Sequence, residues 1–149
     1  MRAVIQRVKN AKVEVKGNIT GRIDHGILLL AGFEPSDNAD DFNYIIDKTI
    51  NLRIFEDENG KMNLSVKDTG GKILVVPNFT LYGDARKGRR PGFSQSSSPL
   101  QASEQFSDFC ELFRTREADI QTGIFRENMQ VSLINDGPVT ILLDSGRLF

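Results

Sequence analysis

The chain of 149 residues has no tryptophan, one cysteine and one histidine. With Cys110 alone, an internal disulfide and a cysteine-cluster metal site are both excluded. With His25 alone, a Ser-His-Asp triad would have to use it, and it sits in Asp24-His25-Gly26, which reads as a surface turn. Charge of one sign is also lacking: 19 Lys and Arg face 20 Asp and Glu, for a net charge of −1. Such a chain has no global pull toward nucleic acid, so any RNA contact must come from a local basic patch. No apolar run approaches the ~18 residues of a membrane span. Met1-Arg2 leads into an alternating strand pattern and not into a signal peptide. A cytoplasmic protein with no membrane partner is expected. No metal ligand cluster is legible, and no metal or cofactor is expected.

What remains is ordinary for a soluble globular protein: 39% hydrophobic and 26% charged residues. One domain over residues 1–149 is the default at this length, and a chain of this size can bury ~70% of its unfolded surface. Residues 2–8 suit a strand. Lys12 to Lys16 alternates, with Val13 and Val15 on one face. Gly17-Asn18 reads as a two-residue hairpin turn before a return strand, Ile19 to Ile23. Gly26 to Phe33 is apolar enough to be a strand buried on both faces. The period then changes. Phe42, Ile45, Ile46, Thr49 and Ile50 mark one helix face, with Asp37, Asp40 and Asp41 placed to meet the positive helix end. Leu52 to Phe55 and Lys72 to Asn78 are further strands, with a polar turn at Glu56 to Lys61. Residues 83–98 form a long loop of Gly, Ser, Pro and basic residues, and loops of that length in small domains are often functional. Ser98-Pro99-Leu100-Gln101 starts a second helix as N-cap, N1 proline and capping-box glutamine. Ala102, Phe106, Phe109, Cys110 and Phe113 form its apolar face, which makes Cys110 core filling. Strands Met129 to Ile134 and Val139 to Leu143 close the chain. Many strands with two helices predict an α+β fold.

Two short segments carry the functional signal: Pro77-Asn78-Phe79-Thr80-Leu81 and Asn135-Asp136-Gly137-Pro138-Val139-Thr140. Each ends an apolar run with residues that favour irregular backbone. Gly137 tolerates angles closed to other residues, and Pro138 removes an N–H and permits a cis peptide bond. A tight turn is the plainer reading of the Gly-Pro pair. Thr80 supplies a hydroxyl, and the main chain around Asn78 to Thr80 supplies N–H donors. The run Ser94 to Ser98 has no base beside it, so each hydroxyl is a weak nucleophile and a helix-entry loop is the better reading. Arg86, Lys87, Arg89 and Arg90 concentrate positive charge around Gly88, suited to RNA phosphates or simply solvated.

Together with Met1 to Val8, Asn51 to Phe55 and Met129 to Leu133, these segments resemble the D-aminoacyl-tRNA deacylase family, in the family's order and from Met1 to about Ser145. The resemblance implies mixed β-sheets packed as a sandwich or barrel-like core with two main helices outside, assembled as a homodimer. It implies an editing hydrolase that cleaves the ester of D-aminoacyl-tRNA, with glycyl-tRNA for alanine as a further substrate. Hydrolysis would be assisted by the 2′-hydroxyl of the terminal ribose, with Thr80 positioning the ester. Pro77, Asn78, Phe79, Phe125 and Met129 match pocket positions, and Phe125 reads equally as a core residue. Gly137 and Pro138 match the chiral filter, a cis peptide that reaches into the partner subunit's site and excludes L side chains. Arg7 would brace that loop or stand as a plain strand arginine. The chain departs from the family in carrying Pro77-Asn78 where Ser-Gln is usual, so no serine can act at position 77. It departs again at Arg126-Glu127-Asn128, where small and acidic residues are commoner. The alternative is a non-catalytic RNA- or DNA-binding module that uses the basic loop.

Overall fold

The computed structural model describes residues 1–116 and 118–149. Its centre is one long strand, β1 (Arg2–Val15), where the alternation had suggested two. On one side β1 pairs antiparallel, first with β3 (Gly26–Gly32) and then with β2 (Asn18–Ile23). On the other side a single strand, β8 (Gln130–Asp144), follows it from Arg2↔Asp144 to Glu14↔Gln130. The two expected terminal strands are thus halves of one. β6 (Lys72–Pro77) joins β3 in parallel, and β7 (Ile120–Thr122) joins β6 in parallel. A separate ribbon, β4 (Phe55–Glu56) with β5 (Met62–Leu64), holds the polar turn.

The mixed sheet curls on itself. β2 folds over until a Cβ added at Gly21 would lie 2.7 Å from the Thr122 carbonyl oxygen, so the close approach of β2 to β7 requires a glycine there. Val8, Val13, Ile23, Leu28, Leu74 and Val76 fill the inside of the curl. The other face of β3 and β6, with Ile27, Leu29, Ile73 and Val75, is covered by the helices. That is the two-sided burial the apolar β3 run predicts, and it yields the expected barrel-like core with two helices outside.

Helix α1 (Ala39–Asn51) buries Phe42, Ile45, Ile46, Thr49 and Ile50, the face its spacing marks. Asn38 and Asp41 form its capping box. Asp37 does not serve the helix end: its carboxylate accepts from the Glu34 N–H and from the Met1 ammonium. Burial raises its pKa, opposed by those hydrogen bonds. Helix α2 (Pro99–Thr115) has Ser98 as N-cap, accepting from the Gln101 N–H at 3.4 Å. Gln101 does not complete a box; its Nε2 donates to Pro35 O at 3.0 Å and ties the helix start to the loop before α1. Phe33, Phe42 and Phe109 meet edge to face with centroids 5.8 Å apart, and Phe113 packs on Phe109. Each fully buried ring contributes ~1.5–3 kcal/mol of burial. Cys110 lies among them, and burial pushes its thiol up to about 12.

The β1–β2 turn is Lys16-Gly17, one residue earlier than Gly17-Asn18 suggests, because Val15 pairs with Asn18. Both turn residues have positive φ, 50° and 81°, matching the twist of a two-residue hairpin. Among the described residues no helix is long and apolar enough to cross a membrane.

Candidate active site

At its C-terminal end β6 runs out at Pro77 beside Ala31 of β3. The Asn78 N–H still donates to Ala31 O at 2.7 Å. The chain then tightens into a 3-10 turn, Phe79–Tyr82, with Asn78 as its N-cap. Asn78 Oδ1 accepts twice, from the Thr80 N–H at 3.2 Å and from the Thr80 hydroxyl at 2.5 Å. Both donors of Thr80 are therefore fixed by one amide side chain. The other end of the turn is anchored by buried Tyr82, whose hydroxyl donates to Glu34 at 3.2 Å while the Arg2 guanidinium lies over its ring. Burial, with Asp37 and Glu34 nearby, raises the Tyr82 pKa, so the phenol is a donor and not a base.

This turn forms part of a cavity of about 730 Å³. Pro77, Asn78, Phe79, Thr80, Phe125 and Met129 all line it, so the structure brings together these sequence-predicted residues. Phe125 stacks on Phe106 with centroids 6.3 Å apart and also lines the cavity. A Cβ on Gly123 would lie 2.7 Å from Met129 Sδ, so the missing side chain there lets Met129 settle beside Pro77. Phe93 completes the apolar lining and meets Phe79 edge to face at 5.1 Å. Sequence reasoning missed Phe93, Leu30, Val76 and Ser97; no periodicity runs through the 83–98 loop, and the other apolar residues were legible only as core. Ser97 is buried in the helix-entry loop; its N–H donates to Phe33 O at 3.0 Å, and its hydroxyl has no partner among the described residues.

Acid–base side chains are scarce. Among the described residues Glu127 is the carboxylate that lines the cavity, and Lys16 holds it at 3.1 Å. His25 lies elsewhere, exposed in the β2–β3 turn with its ring against Phe55. The cavity thus suits an apolar group beside a polar one; the Thr80 N–H and hydroxyl are both engaged by Asn78, and no nucleophile–base pair lines it among the described residues.

Gly137 and Pro138 are not in this cavity. The β1–β8 register steps from Gln6↔Thr140 to Val8↔Asn135, so residues 136–139 bulge opposite Arg7. The Gly137-Pro138 peptide is cis, Gly137 has φ +125°, and both residues are exposed. The bulge is closed at its base by Asn135, which accepts from the Val139 N–H at 2.8 Å and donates to the Thr140 hydroxyl at 3.0 Å. Arg7 is buried beneath it and is no plain surface arginine. Its Nε donates to Asp136 O at 3.0 Å and its Nη1 to Ile54 O at 2.6 Å.

In the basic loop, Asp84 and Gly92 exchange backbone hydrogen bonds at 2.7 and 2.9 Å and close a hairpin. Arg86 is bound through two nitrogens to Asp84, at 2.9 and 2.7 Å, and this holds the Asp84 carboxyl well below the usual carboxylate range. Its side chain remains exposed beside that pair. Lys87, Arg89 and Arg90 are exposed and have no ion pair among the described residues.

The family model for D-Tyr-tRNA(Tyr) deacylase matches residues 4–144. The D-aminoacyl-tRNA deacylases of Thermosipho africanus (strain TCF52B) and Clostridioides difficile (strain 630) are 55% and 53% identical to this chain, over 100% of both chains in each case. A solved structure described as a c-Myc DNA unwinding element binding protein is 40% identical, with a TM-score of 0.90 over 97% of this chain and 98% of its own. A probable eukaryotic D-amino acid tRNA deacylase, 18% identical with a TM-score of 0.78 over 95% of this chain and 97% of its own, shares the fold. With a family match over nearly all its length and relatives more than half identical from end to end, this chain belongs to the D-Tyr-tRNA(Tyr) deacylase family.

Proposed function

We propose that this protein is a D-aminoacyl-tRNA deacylase that hydrolyses the ester joining a D-amino acid to the 3′-terminal ribose of tRNA, releasing both. The observation that carries the reading is the cavity at the end of β6, where family-matching residues meet around Asn78 and Thr80. The amino-acid side chain and terminal base are apolar or aromatic, as the lining is; base stacking on an aromatic face is worth ~1–3 kcal/mol. Thr80, held by Asn78, positions the ester and is not the nucleophile. With no base beside it, attack falls to water, assisted by the substrate's own 2′-hydroxyl.

The reading includes a homodimer. Gly137 and Pro138 stand exposed outside their own cavity, which supports a site completed by the bulge of a second copy. Main-chain atoms there would block the space an L side chain needs. Glycine has no side chain on either face, so a steric filter admits glycyl-tRNA as well. Lys87, Arg89 and Arg90 would meet phosphates of the acceptor end, with Arg86 holding the hairpin in shape rather than binding. The exposed cations also favour a second reading, a nucleic-acid-binding module without catalysis. Incubation with D-tyrosyl-tRNA separates the two, because only the deacylase releases free D-tyrosine. A substrate ending in 2′-deoxyadenosine should be hydrolysed very slowly; rapid turnover of it would remove the RNA-assisted step.

A further inference from the structure

We propose that Arg126 is a phosphate-binding residue at the rim of the cavity, contacting a phosphodiester of the single-stranded 3′ end of the RNA. The inference rests on the deacylase reading above. Arg126 has φ +65°. In this left-handed region a side chain clashes with its own main chain, and glycine, asparagine or aspartate is the ordinary occupant. An arginine in that conformation is the observation from which a use is inferred.

Nothing inside the chain supplies that use. Arg126 is exposed, and among the described residues its guanidinium has no carboxylate or carbonyl partner. Its neighbour is different: Glu127 is held by Lys16, the other non-glycine residue of the hairpin–rim contact with positive φ. That ion pair compensates the carboxylate of the turn, leaving Arg126 as the charge without an ion-pair partner among the described residues where the turn lines the cavity. The chemistry of the substrate then selects the partner. In an aminoacyl-tRNA the amino acid's carboxyl is esterified and its amine is cationic, so the anions near the ester are phosphodiesters. A guanidinium binds such oxygens through paired N–H donors.

The test uses Arg126→Gly, a change that relieves the backbone instead of straining it, with Arg126→Lys as the charge-retaining control. Two substrates are compared: D-tyrosyl-tRNA and the D-tyrosyl ester of adenosine, which has no phosphate. We expect Arg126→Gly to raise KM for the tRNA ~3–10-fold at low salt with kcat unchanged. The logarithmic salt dependence should flatten by ~0.7, one phosphate on a single strand. Turnover of the adenosine ester should not change, Arg126→Lys should keep most of the salt dependence, and Tm should hold or rise. Equal losses on both substrates would overturn the proposal, as would an unchanged KM for tRNA, a fall in Tm or a change of oligomeric state. A native protein that leaves D-tyrosyl-tRNA intact would instead sink the deacylase reading, and this inference with it.

Discussion

Replacing Arg7 with alanine tests how the Gly137-Pro138 bulge is held. Arg7 is 4% exposed, and its guanidinium joins three parts of the chain: β1, the carbonyl of Ile54 before β4, and the carbonyl of Asp136 in the bulge. Its Nη2 also lies 3.8 Å from Glu56, and Asp136 Oδ2 is 3.6 Å from Nε. A hydrogen bond from a charged donor is worth ~1.5–3 kcal/mol. Two are lost, one to a buried carbonyl and one to a part-buried carbonyl, and both are left without that donor. Removing a buried charge returns part of the cost of desolvating it, so the net loss should be ~2–4 kcal/mol. For a chain of this size ~1 kcal/mol moves Tm by ~2–4 °C, so Arg7→Ala should melt ~5–15 °C lower at equal protein concentration. Arg7→Lys should fall between, because one ammonium cannot serve both carbonyls in their present positions. Deacylation of D-tyrosyl-tRNA should drop further than the melting shift accounts for at 25 °C, since the bulge loses its floor. An Arg7→Ala protein with native Tm and full activity would refute the bracing role.

Two further outcomes follow from local geometry. Asn78→Ala should slow deacylation more than Thr80→Ala, because it releases both the N–H and the hydroxyl of Thr80, whereas Thr80→Ala leaves the cap to the N–H intact; single-turnover rates with D-tyrosyl-tRNA give the order, and no aminoacyl adduct should appear on Thr80 by mass spectrometry. The Cys110 thiol, pushed up to about 12 by burial, should resist alkylation at pH 8 until the protein is unfolded. Because its folded pKa exceeds the unfolded value of ~8.5, the stability gained by keeping it neutral is fully present below ~8.5. A raised thiol pKa opposes ionisation in the folded state, so that contribution is present in the ordinary range and lost as pH climbs toward 12.

Much of the fold was legible because its elements obey simple periods. The α1 face, the α2 face and the two-sided burial of β3 each follow from spacing and apolar content. What local sequence could not tell is set by partners far along the chain. β1 reads as two strands until β8 is seen pairing along its whole length, and β8 reads as two until β1 carries both halves past the bulge. β7 is three residues long and is a strand because β6 is beside it. In the site, Pro77 to Thr80, Phe125 and Met129 converge on one cavity, and Arg86 carries an ion pair with Asp84 that the basic run itself does not announce. Sequence adjacency does not reveal which member of a basic cluster is already satisfied; Asp84 lies only two residues away, and the hairpin closure by Gly92 turns the two side chains together. Arg7 shows the reverse. A polar residue in a strand carries no mark of burial until the carbonyls of Asp136 and Ile54 are found around it.

In the proposed function the cavity cleaves the ester of D-aminoacyl-tRNA, and steric exclusion refuses L side chains. The most direct measurement is parallel deacylation of D-alanyl-, glycyl- and L-alanyl-tRNA by the native protein at one concentration. Rapid loss of the D-alanyl and glycyl esters with the L-alanyl ester intact is the expected result. Equal loss of the D and L esters would contradict the exclusion, intact glycyl-tRNA beside a lost D ester would show recognition of the D side chain itself, and survival of all three would contradict the deacylase assignment.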